Sequence, residues 1–256
     1  MKQDKTAIKG QNVIALASGK GGVGKTWLSV AVAQTLADKG EKVLLVDGDL
    51  GLPNVDIQLG LPTENDLSAV VGSRISLSDA VTKYAIGGFD VIANASGSGT
   101  LANMPLSVVA QVFENLLMIA PHYDRVVLDL GAGIDKAVRL MASCAGTLFI
   151  VCTDEPTSLT DAYAFIKVML SENANADMRV LVNGVDSLES GRKTYLTLAR
   201  ACENFLSFTP VFGGIVREDK YVREAIRKQM PVPKAFPQTT ATEDVSKIVQ
   251  NCLLNS

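Results

Sequence analysis

The chain of 256 residues has one histidine, one tryptophan and four cysteines, and aromatic residues make up only 5% of it. Cys144, Cys152, Cys202 and Cys252 are scattered, with no C-x-x-C pair. That spacing argues against zinc or iron–sulfur ligation within one chain, and it fits reduced core cysteines of a cytoplasmic protein. Long hydrophobic runs are also missing. The longest, such as "GTLFIVC" (146–152), are far too short to span a bilayer, and the polar start "MKQDKTAIKGQN" has no signal-peptide core. No repeat, low-complexity stretch or linker rich in proline or glycine divides the chain. The expected layout is a flexible segment 1–11 and a single domain 12–256. The net charge of −3 argues weakly against non-specific binding to nucleic acid or anionic lipid, while leaving a local basic face open.

What is present is an α/β pattern, 47% apolar and 20% charged. "NVIALAS" (12–18) is a short β-rich run that ends in glycines. "KTWLSVAVAQTLADKG" follows with helical periodicity and a glycine stop at Gly40, and "KVLLVDGD" is a second buried strand. Further strands are predicted at "FDVIANA", "RVVLDLG", "GTLFIVCT", "MRVLVNG" and "VFGGIV", and helices at 106–120, 135–143, 158–172, 189–205 and 220–229. A last helix is predicted near "TTATED", with Thr240 and Glu243 as its capping box. Strands this apolar are buried on both faces. The prediction is a three-layer α/β/α domain with a mostly parallel twisted sheet of about seven or eight strands. One antiparallel strand is expected within 68–95.

"GKGGVGKT" (19–26) fits G-x-x-x-x-G-K-[ST] between a strand and a helix, the context that gives this motif its meaning. Phosphate oxygens need several converging backbone N–H groups, and glycines let the chain curl closely enough to supply them. The helix start adds a positive dipole end. Lys25 would neutralise the β- and γ-phosphates, and the Thr26 hydroxyl would bind Mg²⁺. Asp47, Asp49 and Asp129 fall at carboxyl ends of strands, where ligands sit in open α/β sheets. Asp129 would hold Mg²⁺ through water, and Asp49 or Asp47 would polarise the attacking water. Lys20, five residues before Lys25, has two readings. It either reaches across a two-fold axis to the phosphates of a second subunit, or it is a solvated loop lysine.

"KGGVGKT" with its extra lysine resembles the deviant Walker A ATPases, the MinD/ParA group of the SIMIBI class of P-loop NTPases. "LLVDGDLGLPNVDIQLGL", "SGSGTLANMP", "DLGAGI" and "EPTSLTDAYAFIKVM" together resemble, more narrowly, the FlhG/FleN (YlxH) group that controls flagellar number and placement. The similarity runs from about Asn12 to about Lys247. It implies a slow, Mg²⁺-dependent ATPase that cycles between ATP and ADP and works as an ATP-sandwich homodimer. In that dimer Lys20 would act across the interface, and Asp49 would orient the hydrolytic water. Asp47 would help the magnesium ion or the switch region, and Asp129 would be the Walker-B-like aspartate. Gly19, Lys20, Gly21, Gly22, Val23, Gly24, Lys25, Thr26 and Trp27 would line the nucleotide, the last through its backbone N–H. Asn183 would read adenine, Glu155 would approach the partner's nucleotide, and Arg217 would lie in the loop over the base. The implied protein partner is a flagellar switch protein, a transcription activator or an SRP-type GTPase. The implied location is cytoplasmic, including a peripheral place at the membrane or cell pole.

Some features depart from that pattern. Trp27 stands where the family has a small or polar residue, and the N-terminus shows no "DQA"-type activating helix. The stripe Val245, Ile248, Val249, Cys252 and Leu253 carries only Lys247 beside it, which reads as core packing rather than a membrane anchor. The cations Lys220, Arg223, Arg227 and Lys228 offer either a DNA-contacting face, as in ParA relatives, or a solvated one. A partitioning or division-site ATPase acting on DNA or membrane is the alternative function. A nitrogenase-reductase-like protein lacks its cysteines here, and a cobyrinate-amidating ligase would need a glutamine-hydrolysing domain. His122, in "APHYDR", reads as a loop residue.

Overall fold

A computed structural model describes residues 10–62, 65–94 and 104–254. Segment 1–9 lies outside the described residues, as does most of "SGSGTLANMP". Eight strands form one sheet in the order β3-β4-β2-β5-β1-β6-β7-β8. They are β1 (Gly10–Ser18), β2 (Val43–Gly48), β3 (Thr82–Tyr84), β4 (Phe89–Ile92), β5 (Arg125–Ala132), β6 (Ala145–Cys152), β7 (Met178–Val185) and β8 (Val211–Arg217). Every neighbouring pair is parallel except β3–β4, which supplies the antiparallel strand expected before residue 95. β1 begins at Gly10, two residues earlier than its sequence signal, because the Gly10 N–H donates to Cys144 O.

Helices cover both faces, and β1 shows why the strands read as uninterrupted apolar runs. Val13, Ala15 and Ala17 belong to one core with residues of α4 (Leu106–Ile119), α5 (Lys136–Ser143), α6 (Pro156–Glu172) and α7 (Leu188–Leu206). Ile14 and Leu16 belong to the opposite core, with residues of α1 (Lys25–Asp38), α8 (Lys220–Arg227) and α10 (Thr240–Val249). Three short helices carry no periodic signal in the sequence: α2 (Val55–Leu59), α3 (Leu67–Val71) and α9 (Val232–Ala235).

The apolar stripe on α10 and the residues just after it is part of the core. Val245, Ile248, Val249, Cys252 and Leu253 are all buried against α1 and the sheet. Arg179 Nη1 donates to Cys252 O at 2.7 Å, and Arg125 Nη2 donates to Leu253 O at 2.9 Å. One sequence assignment moves here. The residue that caps α10 is Thr239, not Thr240, and the Thr239 hydroxyl turns to Phe236 O and Thr242 instead of the helix N–H groups. Among the described residues, no helix is long and apolar enough to cross a membrane.

Candidate functional site

The glycine-rich loop lies at the carboxyl end of β1, in the middle of the sheet, and leads directly into α1. Gly22 and Gly24 adopt φ +79° and +92°, a region that side chains disfavour. No side chain caps the first turn of α1. Around Gly22 a β-carbon would meet no atom within 4 Å, so this curl of backbone is open on its outer side. At Gly24 a β-carbon would collide with the Asn183 amide and the Trp27 indole. The loop thus combines an open outer side with a tightly packed rear, which leaves room for a phosphate against its backbone.

Lys25 is buried at the base of this loop, and its Nζ donates to Ser18 Oγ at 2.8 Å. Ser18 in turn donates to Lys20 O at 2.6 Å, which fixes the loop's entry. Burial lowers the Lys25 pKa, and the carboxylates of Asp129 and Asp49 partly offset that. Asp129 sits in register opposite Asp47 on β2 and Leu16 on β1. It accepts a hydrogen bond from Ser29 Oγ at 2.9 Å, and the nearby Thr26 hydroxyl also favours its charged form. Burial pushes its carboxyl up to about 6 against the pull of these hydroxyls and of Lys25.

Asp47 is equally buried, and its carboxyl is pushed up by burial and then by Asp129. It accepts the backbone N–H groups of Asp49 (3.1 Å), Asn54 (3.1 Å) and Val55 (3.0 Å), so it organises the loop after β2. Asp49 is half-buried and accepts from the N–H groups of Gly51 (3.0 Å) and Leu52 (2.9 Å). The loop after β2 and the one after β5 wall a cleft of about 450 Å³ that includes Asp49, Leu50, Leu52, Gly131 and Met141.

These donors fit a magnesium ion. A hydroxyl and carboxylates are hard oxygen ligands, and Mg²⁺ takes one or two carboxylates alongside substrate phosphates and water. Among the described residues, no group of three or more His, Cys, Asp or Glu side chains is placed to hold a metal ion. Both aspartates are raised chiefly by burial. The shift on Asp129 gives a stability prediction. Its folded-state value of about 6 lies above the ordinary carboxylate value, so its charging costs the folded chain stability as pH rises from about 4 through 6. Without nucleotide and in EDTA, Asp129→Asn is expected to be more stable than wild type at pH 8 by about 1–3 kcal/mol. That advantage should shrink as pH falls through 6 towards 4, in melts followed by circular dichroism.

The second lysine of the motif is held elsewhere. Lys20 Nζ bonds Glu155 Oε2 at 2.5 Å and Thr157 Oγ1 at 2.9 Å, both at the start of α6. The side chains are 36% and 59% exposed, and an ion pair this open is worth about 0–1 kcal/mol. Lys20 and Glu155 are therefore brought together within one chain, and little holds them there.

The remaining expected residues divide. Asn183, at the end of β7, donates to Val23 O at 2.8 Å, which ties it to the phosphate loop. Trp27 is buried in the core on the α1 side of the sheet, and its indole edge is packed on Gly24. Arg217, the last residue of β8, makes a two-pronged guanidinium pair with Asp244 at 2.8 and 2.7 Å. His122 is exposed in the short turn after α4. The cations of α8 are exposed, but Glu218, Glu224 and Asp186 interleave with them around one shallow depression. Sequence reasoning missed Ser18, Ser29, Thr157 and Asp244. Ser18 and Ser29 flank the motif, so their proximity to Lys25 and Thr26 was the one available signal.

The chain matches the family described as CobQ/CobB/MinD/ParA nucleotide binding domain over residues 14–232. It is 38% identical over 239 residues to the antiactivator FleN of Pseudomonas aeruginosa, covering 93% of this chain and 85% of that protein. It is 28% identical to the flagellum site-determining protein YlxH of Helicobacter pylori, covering 92% and 79%. Among solved structures, MinD in the MinC:MinD cell division complex of Aquifex aeolicus superposes with a TM-score of 0.76 at 25% identity, covering 96% and 97%. The septum site-determining protein MinD of Pyrococcus horikoshii, complexed with Mg-ADP, has a TM-score of 0.78 at 22% identity, covering 95% and 97%, a likeness of fold.

Proposed function

The chain belongs to the CobQ/CobB/MinD/ParA nucleotide-binding family and, within it, to the FlhG/FleN (YlxH) group of MinD-like proteins, and on that footing we propose that it is an ATP-driven dimerisation switch that regulates flagellar number or placement. The observation that carries the reading is the division of labour between two lysines. Lys25 is buried among Asp129, Asp49 and Ser18, while Lys20 sits on the rim in a weak, exposed pair with Glu155. One cation is built into the phosphate cradle, and the other is free to leave for a stronger anion.

In this reading the amides of 20–26 bind the phosphates, and Lys25 neutralises the terminal ones. Thr26 and Asp129 would hold Mg²⁺, which supplies charge neutralisation at the phosphate oxygens. Asp49 turns from its own loop to orient the attacking water. Lys20 exchanges Glu155 for the phosphates of a second copy of the chain, which makes turnover depend on the dimer. Asn183, tied to Val23 of the loop, would read the adenine base.

The loops after β2 and β5 would carry the state outward. Leu52 and Ile134, 77% and 44% exposed, lie on them and offer apolar surface to a partner protein such as a flagellar switch protein, a transcription activator or an SRP-type GTPase. Binding that favours one nucleotide state shifts the population of that state. The test is the mass of Asp49→Ala by light scattering with Mg-ATP and with Mg-ADP. The proposal predicts a dimer with ATP and a monomer with ADP, and equal mass in both contradicts it.

A further inference from the structure

We propose that Ser29 is a positioning residue for the magnesium site, and that it acts by holding Asp129; the inference rests on the nucleotide-binding reading above. Ser29 is fully buried one turn into α1, and its Oγ lies 2.9 Å from Asp129 Oδ1 and 3.1 Å from the Lys25 carbonyl. The hydroxyl has one proton to give. A carboxylate is the stronger acceptor, so the proton goes to Asp129. Thr26 and Ser29 stand three apart on α1, on one face, and both hydroxyls favour the charged form of the same carboxylate.

The reason Asp129 needs this second donor is its setting. It is buried, it faces Asp47 in register, and its neighbours Thr26 and Lys25 have other work when a nucleotide is bound. Thr26 would turn a lone pair to the metal, and Lys25 would turn to phosphate. Among the described residues Ser29 Oγ bonds only Asp129 and the carbonyl of its own helix, so it keeps the carboxylate aligned throughout. Groups that orient a metal's ligands in this way are worth roughly 10–100-fold in metal affinity.

The measurement is ADP affinity by calorimetry, in excess Mg²⁺ and in EDTA, for the full chain and three variants. Wild type is expected to bind ADP more tightly with Mg²⁺. Ser29→Ala should bind as wild type does in EDTA but lose about 10-fold or more of the magnesium-dependent gain. Ser29→Thr, which keeps the hydroxyl, should restore it. Ser29→Cys fills the same space with a weak donor and should lose it too, so the test survives if the alanine variant folds poorly. A magnesium gain in Ser29→Ala and Ser29→Cys equal to that of wild type overturns the role of Ser29 and leaves the nucleotide reading standing. A wild type that binds ADP in neither buffer overturns both.

Discussion

Lys20→Ala is expected to bind ATP and ADP within about twofold of wild type and to lose hydrolysis by roughly 10³-fold or more, the scale of a cation supplied in trans to a transferring phosphoryl group. The separation of the two effects follows from placement. In the free chain the Lys20 ammonium is on Glu155 and Thr157, not among the buried groups at the loop's base. Its removal deletes a weak surface pair and leaves the amide cradle, Lys25, Thr26 and Asp129 as they were. The charge it would supply matters only when negative charge redistributes in the transition state. Equilibrium dialysis with labelled ADP and a phosphate-release assay give the two numbers. Loss of tight nucleotide binding in Lys20→Ala would mean that the lysine serves its own loop.

Lys25→Ala should fail earlier, with nucleotide affinity down by about 10²–10³-fold and hydrolysis undetectable. Lys25 is the cation buried beside Asp129 and Asp49, and both partly hold it charged. Removing it leaves those carboxylates, with Asp47 behind them, facing incoming phosphates without a neutralising group. Truncating one partner of a buried charged contact costs about 2–5 kcal/mol. The same dialysis reads the result, and an unchanged ADP affinity would place the phosphates elsewhere. The two variants together separate a lysine that binds from a lysine that only reacts.

The parts of the molecule that repeat a period or a motif were legible before folding. β1, the glycine loop and α1 follow from an apolar run, crowded glycines and helical spacing within thirty residues. Asp129 was legible as a residue near the carboxyl end of an apolar strand, although β5 runs three residues past it to Ala132. The stripe from Val245 to Leu253 was legible as core for want of basic neighbours, and the sheet buries it. What stayed hidden depends on residues far apart in the chain. Ser29 meets Asp129 across 100 positions, and Arg217 meets Asp244 across 27. Neither pairing leaves a pattern at either end. α2 and α3, five residues each, are too short for a period to show. Asp47 looks like a ligand by its place at a strand end, yet its carboxyl accepts three backbone N–H groups of the following loop. A carboxylate that caps a loop and one that binds a metal through water carry the same letter in the same position.

Turnover per subunit, measured against total protein concentration in Mg-ATP, bears most directly on the claim that a second copy of the chain completes the site. The account predicts a rate that rises with concentration and levels off once the ATP-bound dimer is formed, with Lys20→Ala at background throughout. A wild-type rate per subunit that is flat from nanomolar to high micromolar would contradict it.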